Sequence, residues 1–571
     1  MSKRLAVIAL LIVVGSFARA DVKVGAIAGT MRYTRADVPP AVCAVSLSAA
    51  RNEWRSFQIL LQSTAEETVT SVTAGDLIGP DGAVIPASSA SLYREHQLEI
   101  TMASNRNFNF KAGYYPDALI PFKNPEDGAL LTGGRFKAVP FLLPAGETHG
   151  FWVDLFVPRN TRPGTYTGEY KVRFAHQPMI VVPVTLTVWG FTLPDTPSLM
   201  TRFGDPGFGL ARYYRAKKLP EPADWKAVYD QCDRLTSQNR CSAENCNVVT
   251  LDPELQPDGT YTVPPAVIKA IQSFVDTYHT NIFCLGNPAG WGFTDPVADN
   301  AKLLARLRAC DTAIAQINRP VLYYIYLSDE ANDAAAYKYI RDWGKAIRAA
   351  HSAAKVLVVE QPKPQDPAWG DLYGAVDIWC TYFALYDGPA EASRQALGET
   401  VWAYTALTEV APCPYWEIDF PLLNYRAPAW IAWSLRDRGL LYSGNLIYWD
   451  DVDDPWTQPM TLTSKTQEKN NDGTVTYKTQ FGWNGESNLT YPAREVGYDG
   501  IVPSMRLKAI RDSAQDYDYM AILERAGLAA EAQSIVNGVV KSWTVWSSDP
   551  QAYDAARLKL ANLIVQRGLS R

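Results

Sequence analysis

The chain is divided by one short segment, Phe191-Thr192-Leu193-Pro194-Asp195-Thr196-Pro197, and the residue pattern differs on its two sides. Proline lacks the amide hydrogen that a sheet ladder needs and ends a strand, so the segment reads as a linker. On its N-terminal side, short runs rich in Val, Thr, Phe and Tyr alternate with Gly, Pro and Asp, as in Ser56–Leu61, Phe151–Val157, Pro163–Tyr170 and Val181–Trp189. Many short strands without a helical period predict a β-sandwich over residues 21–196. On the C-terminal side, helical faces such as Leu303, Leu307, Cys310 and Ile314, or Tyr337, Ile340, Trp343 and Ile347, alternate with apolar runs such as Val321–Leu327. A run that is apolar at every position is a strand buried on both faces, as in a parallel sheet. Asn281–Leu285, Lys355–Val359, Val376–Tyr382 and Leu446–Trp449 continue the series and predict a (β/α)8 TIM barrel over residues 197–502. Asn471-Asp472-Gly473 predicts a hairpin inserted late in that barrel. Residues 503–571 read as a helical tail packed on it. The expected fold is thus multi-domain, β plus α/β: sandwich, barrel, helical tail.

Residues 1–20 read as a signal peptide. Lys3 and Arg4 precede an apolar run from Leu5 to Val14, and Ala18-Arg19-Ala20 is a small-x-small cleavage site. The run is shorter than the ~20 residues a membrane span needs, so the expectation is a secreted or periplasmic protein without a membrane anchor. Acidic residues outnumber basic ones, 60 to 54, and no Lys/Arg block stands out. That argues against a nucleic-acid partner. The eight cysteines do not form a disulfide scaffold, although Cys241 and Cys246 lie close enough to pair. The five histidines lack ligand spacing, and Asp450-Asp451-Val452-Asp453-Asp454 lacks the spacing and glycine of a calcium loop. No metal or cofactor is expected.

The constellation that could carry chemistry is Ser328-Asp329-Glu330, which directly follows the Val321–Leu327 run. In a barrel, strands end at the catalytic face. A plainer reading is open as well: acids ahead of a helix cap it and favour its dipole, and a helix begins near Asn332. Strand parity adds a condition. Neighbouring residues point to opposite faces of a regular strand, so the chain must leave the pleat at Asp329 for both carboxyls to reach one pocket. The sequence also holds 17 Trp and 30 Tyr, and aromatic faces stack on the apolar faces of sugars as readily as they fill cores.

The sequence resembles glycoside hydrolase family 123 over most of its length. The resemblance rests on Ala50-Arg51-Asn52-Glu53, Tyr115-Pro116-Asp117-Ala118-Leu119-Ile120-Pro121 and Pro163-Gly164-Thr165-Tyr166-Thr167-Gly168 in the first domain. It continues through Ser328-Asp329-Glu330, Gly439-Leu440-Leu441-Tyr442, Leu489-Thr490-Tyr491-Pro492 and Pro503-Ser504-Met505-Arg506-Leu507. The resemblance implies a β-sandwich before a (β/α)8 barrel and N-acetyl-β-galactosaminidase activity. It implies catalysis through the substrate's own 2-acetamido oxygen, with Asp329 orienting that group and Glu330 as acid and base. Two adjacent carboxyls suit this division of labour, because one negative charge makes its neighbour easier to protonate. The expected partner is a glycan with β-linked N-acetylgalactosamine or a related N-acetylhexosamine. One departure is the stretch Leu441-Tyr442-Ser443-Gly444-Asn445 before Ile447, which is longer than the family pattern suggests.

Trp379, Tyr382, Trp416, Tyr448, Trp449 and Trp483 fall near expected strand ends and are the candidates for the sugar-binding wall. Arg506, Arg511 and Asp512 read as structural ion pairs. Two rival functions stay open. In one, Glu330 is acid and base while Glu417, in Pro414-Tyr415-Trp416-Glu417-Ile418-Asp419, is the nucleophile of a retaining glycosidase that needs no acetamido group. In the other, the chain is a non-catalytic carbohydrate-binding protein on a hydrolase barrel.

Overall fold

The structure is a computed structural model that describes residues 21–131, 133–245, 248–407, 412–469 and 475–569. The leader, Cys246 of the suggested Cys241–Cys246 pair and the turn at Asn471-Asp472-Gly473 lie outside the described residues. The two arms of that hairpin, Met460–Lys469 and Val475–Asn484, pair antiparallel.

Residues 22–192 form two packed sheets. One runs in the order Val22–Ala28, Glu53–Ser63, Thr148–Val157, Ala90–Ile100, Gly113–Pro121. The other runs Val45–Arg51, Ile180–Thr192, Gly164–Phe174, Glu67–Ala74, Phe141–Leu143. Phe57, Ile59, Leu61, Val153 and Leu155 of the first sheet meet Val172, Val182, Val184 and Leu186 of the second. The alternate residues of the first sheet, Trp152 and Asp154 among them, are buried too, because that face packs on the rest of the protein.

Seven strands then form a parallel sheet in the order Met200–Arg202, Gly439–Leu441, Thr400–Tyr404, Ile378–Tyr382, Lys355–Val359, Leu322–Asp329, Ile282–Cys284. The gap between its two edges is filled by Cys241–Asn245, which uses side chains instead of a ladder. The Ser242 amide donates to Thr201 Oγ1, Ser242 Oγ meets Asn281 Oδ1, and Asn245 exchanges bonds with the backbone of Cys284. The result is an eight-stave barrel with seven ladder strands. Its strands explain the continuous apolar runs: Tyr324, Leu357, Ile378 and Cys380 fill the interior, while Tyr323, Ile325, Val356, Val358 and Trp379 face the helices. The expected strand at Leu446–Trp449 is not one. The last stave ends at Leu441, and the chain turns through Asn445 and Leu446, both at positive φ (55° and 59°).

Asp205, Asp224, Asp333, Asp387 and Asp549 each cap the helix that follows them, which is what Asp does best at that position. The fifth stave is followed only by a single turn at Pro367–Trp369. The eighth helix is Met505–Arg525, buried along all but its last turn. It opens the helical C-terminal segment packed on the barrel, and it joins the barrel to the sandwich through buried ion pairs. Arg511 and Lys508 each lie 2.9 Å from Asp154, and Arg506 lies 2.9 Å from Asp117. Arg511 also pairs with Asp512 at 3.3 Å. Among the described residues no helix is long and apolar enough to cross a membrane.

Candidate active site

Asp329 ends the Leu322–Asp329 strand and Glu330 follows it, both exposed at the C-terminal mouth of the barrel. The pleat breaks just before them. Register against Lys355–Val359 slips between Tyr326 and Ser328, and the extra residue of such a bulge reverses side-chain parity. Tyr326 and Asp329 thereby share a side, and the Tyr326 hydroxyl donates to Asp329 Oδ1 at 2.9 Å. Glu330 then takes a left-handed conformation with φ 41°. Its amide donates to Val359 O at 3.1 Å, and its Oε1 accepts from the Tyr404 hydroxyl at 2.7 Å. A non-glycine residue held there costs on the order of 1–3 kcal/mol and persists because its surroundings hold it. Burial and the neighbouring carboxyls raise the pKa of both phenols, Tyr326 and Tyr404, so each remains a donor. The helix-cap reading fails on geometry: Asp333, not the Asp-Glu pair, accepts from Ala336 N at 2.7 Å.

The floor beneath Asp329 is polar. Arg202, at the end of the first stave, lies over the Tyr326 ring at 4.8 Å and pairs with buried Glu244 at 3.1 Å. Tyr324 also donates to Glu244, at 2.8 Å. Beside Glu330 stands a carboxyl that the sequence reading passed over. Glu360 is the first residue after the Lys355–Val359 strand and is 4% exposed. Burial pushes its pKa up to about 7, the Glu330 charge adds to the rise, and bonds from Gln361 oppose it. Its position offered a signal, since it terminates a predicted strand just as Asp329 does the one before.

Of the six aromatic candidates, Tyr382 reaches the site. It is half-buried, its ring lies 5.1 Å from that of Tyr404, and its hydroxyl bonds Ala406 O. Tyr448 is half-buried under the Arg212 guanidinium, 4.3 Å from its ring centre. The tryptophans are corrections. Trp379 points out of the barrel, fully buried, with its indole nitrogen donating to Glu399 at 2.7 Å. Trp416 and Trp449 are enclosed in the core between barrel and sandwich, bonded to Asn424 O and Thr490 O. Trp483 is buried at the foot of the hairpin against Phe481. None of these four presents a face to a sugar. Glu417 is 3% exposed, and burial, then Glu486 and Asp419, hold its pKa well above the carboxylate range. Its burial sets it apart from Asp329 and Glu330, which are exposed. In the acidic loop, Asp450 pairs with Arg212 and Asp454 with Arg135. Among the described residues no cluster of His, Cys, Asp or Glu could hold a metal ion.

A parallel barrel with a carboxyl pair at its strand ends, behind a β-sandwich, has the architecture of a glycoside hydrolase. Comparison with known proteins shows what the chain is similar to. Residues 29–174 match the family model described as "Glycoside hydrolase 123 N-terminal domain". A family 123 glycoside hydrolase from Clostridium perfringens, studied for glycolipid glycan hydrolysis, superposes with a TM-score of 0.63. The two share 12% identity, with 96% of this chain and 97% of that one covered. A family 5 xyloglucanase from Bacteroides ovatus (8% identity, 70% and 92% covered, TM-score 0.21) and an endo-β-1,4-mannanase from Thermotoga petrophila (9%, 57% and 77%, 0.26) overlap too loosely to bear on the fold. No curated protein matches the chain. The resemblance to glycoside hydrolase family 123 is borne out, by sequence over the N-terminal domain and by fold over nearly the whole chain.

Proposed function

We propose that the protein is an exported, retaining glycoside hydrolase acting on glycans with β-linked N-acetylgalactosamine or a related N-acetylhexosamine. The observation that carries this reading is the pair Asp329 and Glu330, turned together into the barrel mouth and each held by its own tyrosine. The substrate's acetamido oxygen attacks the anomeric carbon while Glu330 gives its proton to the glycosidic oxygen, and the aglycone departs. Asp329, as carboxylate, accepts the acetamido N–H and stabilises the positive charge that develops on the oxazolinium ring. Glu330, now ionised, takes a proton from the incoming water. Water adds to the face the aglycone left, and the acetamido group is restored. Configuration is retained without an enzyme nucleophile, consistent with the burial of Glu417. Export rests on the leader at residues 1–20.

The test is hydrolysis of paired aryl β-glycosides with and without a 2-acetamido group, by wild type, Asp329→Asn and Glu330→Gln. Cleavage confined to the acetamido sugars and lost in both variants is expected. Cleavage of plain galactosides or glucosides, or full activity in Glu330→Gln, would overturn the reading.

A further inference from the structure

The barrel rim carries a second pocket, between the loop that follows Cys241–Asn245 and the loop that follows Ile282–Cys284. Its volume is about 210 Å³, and Thr250, Asp252, Gly286, Asn287, Trp291 and Arg306 line it. That is below the ~300–1,000 Å³ of sites for drug-sized ligands and suits one ring. The aromatic wall is built, not incidental. The Trp291 indole nitrogen donates to Leu285 O at 2.9 Å, and Phe293 meets the ring edge-on at 6.0 Å. Gly286, at φ 82°, lets the indole lie over its loop, since a β-carbon there would come within 3.1 Å of Trp291 Nε1.

The polar groups are fixed as well. Arg306 is 7% exposed, lies 4.8 Å from the Trp291 ring centre and pairs with Asp252 at 2.5 Å. Its Nε–H has no hydrogen-bond partner among the described residues, while Asp252 is 71% exposed. The ion pair is internally neutral, so the pocket does not select an anion. It offers an exposed carboxylate acceptor and an aromatic side chain together, which suits a sugar ring with hydroxyls and an apolar C–H face.

The pocket lies on the strand next to the Asp329–Glu330 strand: Ile282–Cys284 pairs with Leu322–Tyr324, and Leu285 N donates to Tyr324 O. From Tyr324 to Asp329 is roughly 16 Å of strand at extended rise, so one ring does not fill both sites. We infer that this pocket is a distal subsite that binds a further sugar residue of the glycan whose terminal sugar reaches Asp329 and Glu330. The inference rests on the glycosidase reading above.

The experiment uses two substrates, an aryl N-acetyl-β-galactosaminide and a fluorescent tetrasaccharide ending in the same β-linked sugar. Trp291→Ala and Asp252→Asn are expected to lower kcat/KM on the tetrasaccharide about tenfold, mostly through KM, and to leave the aryl monosaccharide unchanged. An equal loss on both substrates, or no loss on the tetrasaccharide, overturns the subsite. Calorimetric binding of the tetrasaccharide to Glu330→Gln, with and without Trp291→Ala, separates this inference from its premise. Binding that depends on Trp291, where the wild type cleaves neither substrate, upholds the subsite and rejects the hydrolase. No binding in either form rejects the subsite whatever the activity.

Discussion

Replacing Glu360 by Gln tests whether a neutral carboxyl is built in beside Asp329 and Glu330. Glu360 is 4% exposed at the end of its strand, and burial raises its pKa to about 7 from an ordinary 4.5. Below pH 4.5 the group is protonated in both folded and unfolded chains and costs nothing. Between 4.5 and about 7 the unfolded chain ionises while the folded protein keeps its proton, so stability falls as pH rises. The loss is complete above about pH 7 and amounts to about 3 kcal/mol at 1.36 kcal/mol per pKa unit. Glutamine keeps the acceptor oxygen that Gln361 faces and carries no charge at any pH. Glu360→Gln is therefore expected to match wild type at pH 4.5 and to exceed it by about 3 kcal/mol at pH 8. With an unfolding entropy of ~2.1 cal/mol/K per residue, that is about 3 °C in Tm if the chain melts as one unit. Calorimetric melts of both proteins at the two pH values make the comparison, and the other raised carboxyls, Glu95, Asp233, Glu391 and Glu417 among them, cancel between them. A Tm difference that does not change with pH would refute the reasoning.

Asp154→Ala strands the buried cations Arg511 and Lys508 and is expected to cost about 3–5 kcal/mol in urea unfolding; a loss below 1 kcal/mol would contradict the view that this cluster clamps sandwich to barrel. Glu417→Gln is expected to keep kcat/KM within about twofold on acetamido substrates, and a fall of a hundredfold or more would restore Glu417 as nucleophile. Tyr404→Phe removes the donor at 2.7 Å from Glu330 and is expected to lower kcat about tenfold with KM unchanged, the scale of ~1.5 kcal/mol for one bond to a charged group; an unchanged kcat would mean that Tyr404 does not position the acid.

How far the sequence discloses this molecule depends on element length and on parity. The break at Pro194 and the long run Val321–Leu327 are legible because each persists over many residues. Met200–Arg202, Thr400–Tyr404 and Gly439–Leu441 are only three to five residues long, too short for a period to show. Cys241–Asn245 is a stave without a ladder, held by Ser242 and Asn245 side chains that no strand pattern marks. Helix Leu423–Ser434 is buried on every side as far as Trp433, so it has no polar face to reveal it. The aromatic candidates fail for a related reason. Trp379 and Tyr382 are three apart on one strand, hence on opposite faces, and with Tyr382 inside the barrel Trp379 belongs to the helix layer. The Asp-Glu pair could be found at the end of its strand, but its working geometry is not local. Nothing in Leu327-Ser328-Asp329-Glu330 demands a bulge or a left-handed glutamate. Both are held by partners in other strands, Val359 through its carbonyl and Tyr404 through its hydroxyl, so the orientation of Glu330 is encoded in residues far along the chain that make no contact with it until the barrel closes.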